Sequence, residues 1–431
     1  MPTPRPPQPK QSRPLQTWHF ARRTPNFLID LHREQGDVFG LHFQKHPWTV
    51  FAHPDAIKEI FTAPASALRA GEGNEILGPP LGKHSLLLLD GDEHMRQRRM
   101  LLPSFHGEKL ATQKTAMERV AEDVVGRLPR SQPFALRPQM QEIALEVILE
   151  VVLGVEPSDA RHDGLSKAVG NLLDRIGVPG RLVITGMLGP EHPIVKRMFK
   201  PILKPLDAGI YDLITERRGA KDLEDRSDIL SMLLLAKDED GNGMSDPELR
   251  DELVTLIVAG HETTSTALSW AFERLTRDPA GLKRLEDESR TEETIWSDAV
   301  AKEALRLRPV LDFVVRRVGE PIEIAGYKFE PGEFIAPAIK LVHLREEIYP
   351  DAEAFKPERW LDTKPGTYTW IPFGGGVRRC IGFSFAMAEM DVVLRAVART
   401  VHLEPVGEPE KAVSRFITSS PARGGEVLIP A

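Results

Sequence analysis

The sequence predicts a mainly α-helical protein with a smaller β-rich lobe. Three observations carry that expectation. Apolar residues recur at three- and four-residue spacing between charges over residues 108–128, 140–153 and 193–218, as in amphipathic helices. A further helical pattern, running from Ser245 to near Asp278, is longer than any of these. β-Branched and aromatic residues gather instead in two short regions, residues 38–52 and 321–335, with more strand near the C-terminus.

Taken in order, residues 1–14 are rich in proline and carry Arg5, Lys10 and Arg13, which reads as a flexible tail ahead of a single domain over 15–431. Val38, Phe39, Phe43, Trp48, Val50 and Phe51 surround a polar turn and suggest a hairpin or part of a small sheet. Residues 238–244 form a surface loop. In the long helix, Ser245 and Glu248 have capping-box spacing and Pro247 sits in the first turn, while Pro279 marks the end. At 1.5 Å per residue it spans roughly 45–50 Å. Its middle, 257–267, is almost uncharged and crosses the interior, interrupted by Gly260, His261, Glu262, Thr263 and Thr264.

A chain of 431 residues can enclose a sizeable buried site, and 41% hydrophobic with 28% charged residues places it among ordinary globular proteins. The net charge of −7 argues against nucleic acid or a general anionic membrane as partner, leaving room for local basic patches. One cysteine excludes an internal disulfide and a multi-cysteine zinc site. With no signal-like apolar stretch and no membrane-length apolar run, the expectation is a cytoplasmic protein without a membrane anchor.

That cysteine, Cys380, follows Phe373, Gly374, Gly375, Gly376, Val377, Arg378 and Arg379 and precedes Gly382 and a helical pattern. A glycine loop before a helix start presents backbone N–H groups and the positive helix end to the sulfur, favouring the thiolate that ligates iron. Arg378 can pair with a cofactor carboxylate. Without this context a lone cysteine is a buried structural residue. Phe373, Gly376, Arg378, Cys380 and Gly382 match the signature of the cytochrome P450 family, and Ala386 and Glu389 extend the match.

Further motifs follow in the family's order. Glu303 and Arg306 form a Glu-x-x-Arg pair on one helix face. Downstream, residues 355–360 read Phe-Lys-Pro-Glu-Arg-Trp and resemble the family's Pro-Glu-Arg-Phe segment, with Trp360 in place of Phe. The resemblance implies that Arg359 completes a buried structural network with Glu303 and Arg306. Residues Ala259 to Thr264 resemble the family's oxygen-activating Ala-Gly-x-Glu-Thr-Thr. A threonine hydroxyl bonding back to the preceding turn loosens a helix locally. Splitting dioxygen requires two protons at its outer oxygen, and Glu262 and Thr263 are the residues to supply them. His261 and Glu262 do not make a zinc-protease motif, because Ser265 stands where the second histidine is needed.

The resemblance implies a P450 fold, a haem b held at Cys380, and a monooxygenase that inserts one oxygen atom of dioxygen into a small organic substrate. It assigns the haem propionates to His94 and Arg98, four apart on one helix, to Arg316, whose role Arg317 can exchange, and to Arg378. The implied pocket is walled by Leu77, Leu81, Leu86, Ala259, Leu311, Phe313, Val314 and Ile417, with Asp312 meeting either a polar substrate group or solvent. This lining favours an apolar substrate. With no flavin or iron–sulfur module alongside, electrons come from a ferredoxin or flavodoxin-type donor and its reductase. Arg96, Arg99 and Arg379 are either a basic patch steering that donor or a solvated helix face. The rival functions are a peroxide-driven or dehydratase-like enzyme of the same fold, or a haem-binding sensor without turnover.

Overall fold

The computed structural model describes residues 6–42, 47–415 and 417–431, so Phe43 and the first five residues lie outside it. Helix α1 (Arg13–Gln35) begins inside the stretch expected to be a loose tail, with proline in its first turn, where a missing N–H is no loss. Before it, the Pro7 carbonyl accepts the Gly40 N–H at 2.7 Å. Strands β1 (Val38–Leu41) and β2 (Trp48–Phe51) pair antiparallel, as the 38–52 pattern predicts, and helix α2 (Pro54–Thr62) follows.

The short strand β3 (Leu68–Arg69) and helices α3 (Gly91–Leu101), α4 (Glu108–Gly126) and α5 (Leu136–Val147) come next. The periodicity at 140–153 runs past α5 into a π-helical turn at Ile148–Val152. Helix α6 (Pro179–Leu188) precedes α7 (Pro193–Arg218), whose ends coincide with the predicted run.

Helix α8 (Asp246–Leu275) is the long one, and its 30 residues span about 45 Å. The Ser245 hydroxyl accepts the Glu248 N–H while the Glu248 carboxylate accepts the Ser245 N–H, which satisfies two otherwise orphaned donors. Helix α9 (Ile295–Leu307) leads into strands β4 (Arg316–Val318) and β5 (Phe334–Pro337), and α10 (Phe383–Thr400) into the hairpin β6 (Ala412–Arg415) and β7 (Thr418–Pro421).

The principal sheet has the order β1-β2-β5-β4-β3, with β2 parallel to β5 and the other pairs antiparallel. Leu249, Leu253 and Ile257 of α8 join one apolar core with Leu206 and Ile210 of α7. Leu268, Phe272 and Leu275 join another, with Ile143, Val300 and Val393. Residues 258–264 lie between the two cores, which is where the polar interruption falls. No helix among the described residues is long and apolar enough to cross a membrane.

Candidate active site

The loop before α10 is shaped by what it presses on. Gly374 and Gly376 have φ of 68° and 63°, a region that costs other residues strain. A Cβ on Gly376 would stand 2.1 Å from the Phe61 carbonyl oxygen and one on Gly375 2.2 Å from the Phe61 ring, so both positions lie against α2. The Cys380 N–H closes the loop on the Phe373 carbonyl at 2.9 Å, and Gly382 caps α10. Phe373 stacks edge-on against Phe383 with centroids 4.9 Å apart.

Cys380 is exposed to solvent although protein atoms crowd its surroundings. Burial pushes the Cys380 thiol up, and the Gly382 N–H, Arg98 and Arg379 oppose it. On α8, Ala259 is exposed and Val258 and Gly260 beside it are half-buried, although most of the helix is buried. The Thr263 hydroxyl donates back to the Ala259 carbonyl at 2.6 Å, as expected.

Glu262 does not reach toward Thr263. It takes Nη2 of Arg137 on α5 at 2.8 and 2.9 Å, Nε2 of Gln141 at 3.1 Å and the Thr418 hydroxyl of β7 at 3.3 Å. Adjacent helical residues point about 100° apart, so the two members of the motif address different surroundings. His261 is buried and burial brings its imidazole down to about 4. Thr264 is also buried, and its hydroxyl reaches the carboxyl of Glu389 on α10.

Around the cysteine loop the structure gathers the expected basic groups. His94 and Arg98 share α3, and burial drives the His94 imidazole down to about 3, helped by Arg378, Arg98 and Arg316. Burial, then the Arg378 charge, brings Arg316 down to about 10. The alternation of β4 separates Arg316 from Arg317: Arg316 is buried, whereas Arg317 faces Glu72 at 3.4 Å and does not exchange roles with it. Arg378 donates to the carbonyls of Leu86 and Leu89 and pairs with Asp90.

Three arginines, Arg316 buried and Arg98 and Arg378 half-buried, thus gather beside a neutral His94, with Asp90 paired to Arg378. Such an excess of partly desolvated positive charge is unfavourable by itself and is offset by a dianion, so the donor set fits the two propionates of a haem.

Other predicted residues fall differently. Arg96 is not a free docking charge: it holds Asp238 at 2.7 Å and Glu248 at 2.8 Å, and Arg99 pairs with Glu239, so the expected patch tethers the 238–244 loop. Arg379 lies 4.2 Å from the Phe383 ring centroid. Leu77, Leu81 and Leu86 are buried together with Phe199 and Ile257. Leu311 and Val314 pack on the cluster of Ile57 and Phe61. Phe313 turns to Phe20 and Trp48, with ring centroids 5.6 and 6.2 Å away. Asp312 faces neither solvent nor an apolar wall: it is buried near Lys340 and Arg308, and burial raises its carboxyl to about 7 against their pull. Ile417 sits 48% exposed between β6 and β7.

Glu303 and Arg306 are fully buried and joined by two bonds of 2.8 Å, and Arg359 reaches Glu303 at 3.1 Å. The Trp360 indole also donates to Glu303, at 3.0 Å, which the family's phenylalanine cannot do. Trp360→Phe is therefore expected to destabilise the protein by roughly 1–3 kcal/mol, measured by urea unfolding, because it leaves a buried acceptor short of a donor.

Glu389 gives a pH prediction. Burial raises its carboxyl to about 8, opposed by Thr264, from an unfolded value near 4.5. The folded protein then holds a proton that the unfolded chain releases, so this group's contribution is full below about 4.5 and is lost as pH rises through 8. Between pH 5 and pH 9 the melting temperature should fall further for the wild type than for Glu389→Gln; equal falls would show that Glu389 is not protonated in the fold.

The family profile for cytochrome P450 matches residues 6–427. "Putative cytochrome P450 135B1" of Mycobacterium tuberculosis (strain ATCC 25618 / H37Rv) is 40% identical over 99% of this chain and 91% of its own length. "Putative cytochrome P450 135A1" of the same strain is 35% identical over 99% of this chain and 95% of its own. The solved structure "Retinoic acid bound cyanobacterial CYP120A1" shares the fold with a TM-score of 0.83 at 23% identity, covering 99% of both chains. A cysteine held by a glycine loop, within an alignment that spans nearly the whole chain, makes this protein a member of the cytochrome P450 family, the haem-thiolate monooxygenases.

Proposed function

We propose that this chain oxidises a small apolar organic substrate with dioxygen, using haem b ligated by Cys380. The observation that carries the reading is the glycine-loop cysteine beside the unbalanced cations Arg98, Arg316 and Arg378. When bound, the haem supplies dioxygen activation and oxygen insertion, with the thiolate pushing electron density that favours O–O cleavage. His94, Arg98, Arg316 and Arg378 hold its propionates, while Phe373, Gly376 and Gly382 fix the loop that positions the sulfur. Leu77, Leu81, Leu86 and Ala259 exclude water from the substrate side.

The Thr263 hydroxyl delivers protons from α8, and Glu262, held apart by Arg137, Gln141 and Thr418, supplies them through intervening water rather than directly. Electrons come from a separate ferredoxin or flavodoxin-type donor with its reductase, in the cytoplasm.

Two measurements test this. The purified protein, reduced and exposed to carbon monoxide, is expected to show a thiolate-type spectrum, and a lipophilic library titrated against the oxidised protein should contain compounds that shift its spin state and raise donor consumption. A histidine-type spectrum, or donor consumption indifferent to every binder, would refute it. Thr263→Ala is expected to lower product formed per donor consumed by roughly 10- to 100-fold, with peroxide released instead; unchanged coupling would remove Thr263 from proton delivery.

A further inference from the structure

Residues 82–90, between the Gly78–Leu81 turn and α3, belong to no helix or strand, yet they adjoin Leu81 and contain Leu86, both assigned to the pocket. A segment without a ladder is placed by whatever else its backbone bonds to. Here many of those partners are side chains from one stretch of α8. Asp251 accepts the His84 N–H at 2.9 Å and Nη1 of Arg250 at 2.8 Å, and the same Arg250 nitrogen donates to the Leu81 carbonyl at 3.1 Å. Glu252 accepts the Leu86 N–H, and the Thr255 hydroxyl bonds the Ser85 hydroxyl at 2.7 Å. All four α8 residues are buried.

Two further features single out Asp251. Gly82 has φ of 91°, and a Cβ there would stand 2.0 Å from Oδ1 of Asp251, so the chain bends tightly around the carboxylate. Arg250 has a second carboxylate, Asp207 of α7, at 2.6 and 2.8 Å. Removing Asp251 therefore leaves the contact between α7 and α8 paired, while the wall segment loses an acceptor.

We propose that Asp251 is a positioning residue that fixes the apolar wall at Leu81 and Leu86 and so decides which substrates fit and which of their carbons is presented for oxidation. Asp251 precedes Ala259 by eight residues on α8, about 12 Å along the axis, so it acts through the wall and not on the reacting atoms. A charge-assisted bond to a backbone N–H suits that task, being strong and directional. The consequence for substrate rests on the pocket assignment made above; the anchoring of 82–90 does not.

Hydrogen–deuterium exchange of the full chain as purified, read by mass spectrometry, tests the anchor. Asp251→Ala is expected to speed exchange over residues 81–89 by at least ~10-fold, and Asp251→Asn, whose amide oxygen still accepts the His84 N–H, by no more than ~3-fold. Imidazole and N-dodecylimidazole, which ligate haem iron through nitrogen and differ in the chain that meets the wall, test the consequence. Asp251→Ala should change the ratio of their affinities by roughly 10-fold while imidazole itself binds within ~2-fold of wild type. Arg218→Gln, which removes the pair between α7 and Asp246 at the start of α8, should alter neither readout. Unchanged exchange in Asp251→Ala would overturn the anchor. An unchanged affinity ratio, or one changed equally by Arg218→Gln, would overturn the positioning role. Failure of both azoles to bind the wild type would count against the haem reading instead, and the exchange result would still decide the anchor.

Discussion

Cys380→Ser is expected to abolish substrate oxidation, lowering product formation by at least ~10³-fold, while the fold survives. Serine keeps the size and the acceptor for the Gly382 N–H, and the loop is held by elements that do not involve sulfur: the Cys380 N–H bond to Phe373 and the contacts of Gly375 and Gly376 with Phe61. What is lost is a soft, electron-rich ligand, since a hydroxyl neither ionises near neutral pH nor matches a thiolate's donation to iron. The result should be a protein of nearly unchanged melting temperature whose reduced carbon monoxide complex no longer has the thiolate-type spectrum. If that spectrum persisted in the serine variant, the ligand would have to be another residue, and with no second cysteine in the chain the haem-thiolate assignment to position 380 would fall.

The split between what the sequence disclosed and what it hid follows the range of the interactions. The capping box at Ser245 and Glu248, the span of α7 and the glycine loop are set by local chemistry, the first and last within about ten residues and α7 by the periodicity of its own 26. Motif order then located the cysteine, the Glu303 and Arg306 pair and the basic groups on α3 and β4. The partners of those groups come from far along the chain and left no local mark. Glu262 is claimed by Arg137, 125 residues earlier, and by Thr418, 156 residues later. Arg96 bonds across 142 residues to Asp238, which turned an expected docking charge into a loop tether. Trp360 looked like a conservative departure because its indole N–H matters only once Glu303 is beside it. One signal was available and unused: the strand alternation that sends Arg316 inward and Arg317 outward can be read from two adjacent residues.

Arg306→Met is expected to be the most destabilising of the substitutions considered, at roughly 3–5 kcal/mol, because it strips a buried network of its central cation. Besides Glu303, the guanidinium serves the carbonyls of His343 and Ala352 at 2.8 Å and of Ala354 at 3.0 Å. Glu303 would retain Arg359, the Trp360 indole and the Lys356 N–H, so Glu303→Gln, whose single oxygen still accepts from one of the last two, should cost less than Glu303→Leu, which accepts from neither. The double variant Glu303→Leu/Arg306→Met should cost less than the sum of its parts, since each single change leaves an uncompensated buried charge that the other removes. The effect should also travel to the cysteine loop: His343 takes the Arg306 carbonyl on Nδ1 at 3.1 Å and the Ile371 N–H on Nε2 at 2.9 Å, and the Ile371 carbonyl accepts the Gly374 N–H at 3.0 Å. Urea unfolding and haem content measured on the same preparations would check both parts. Arg306→Met within about 1 kcal/mol of wild type would mean that the pair adds little net stability, as buried ion pairs sometimes do. Full haem occupancy in a strongly destabilised variant would break the link between this network and the loop that holds Cys380.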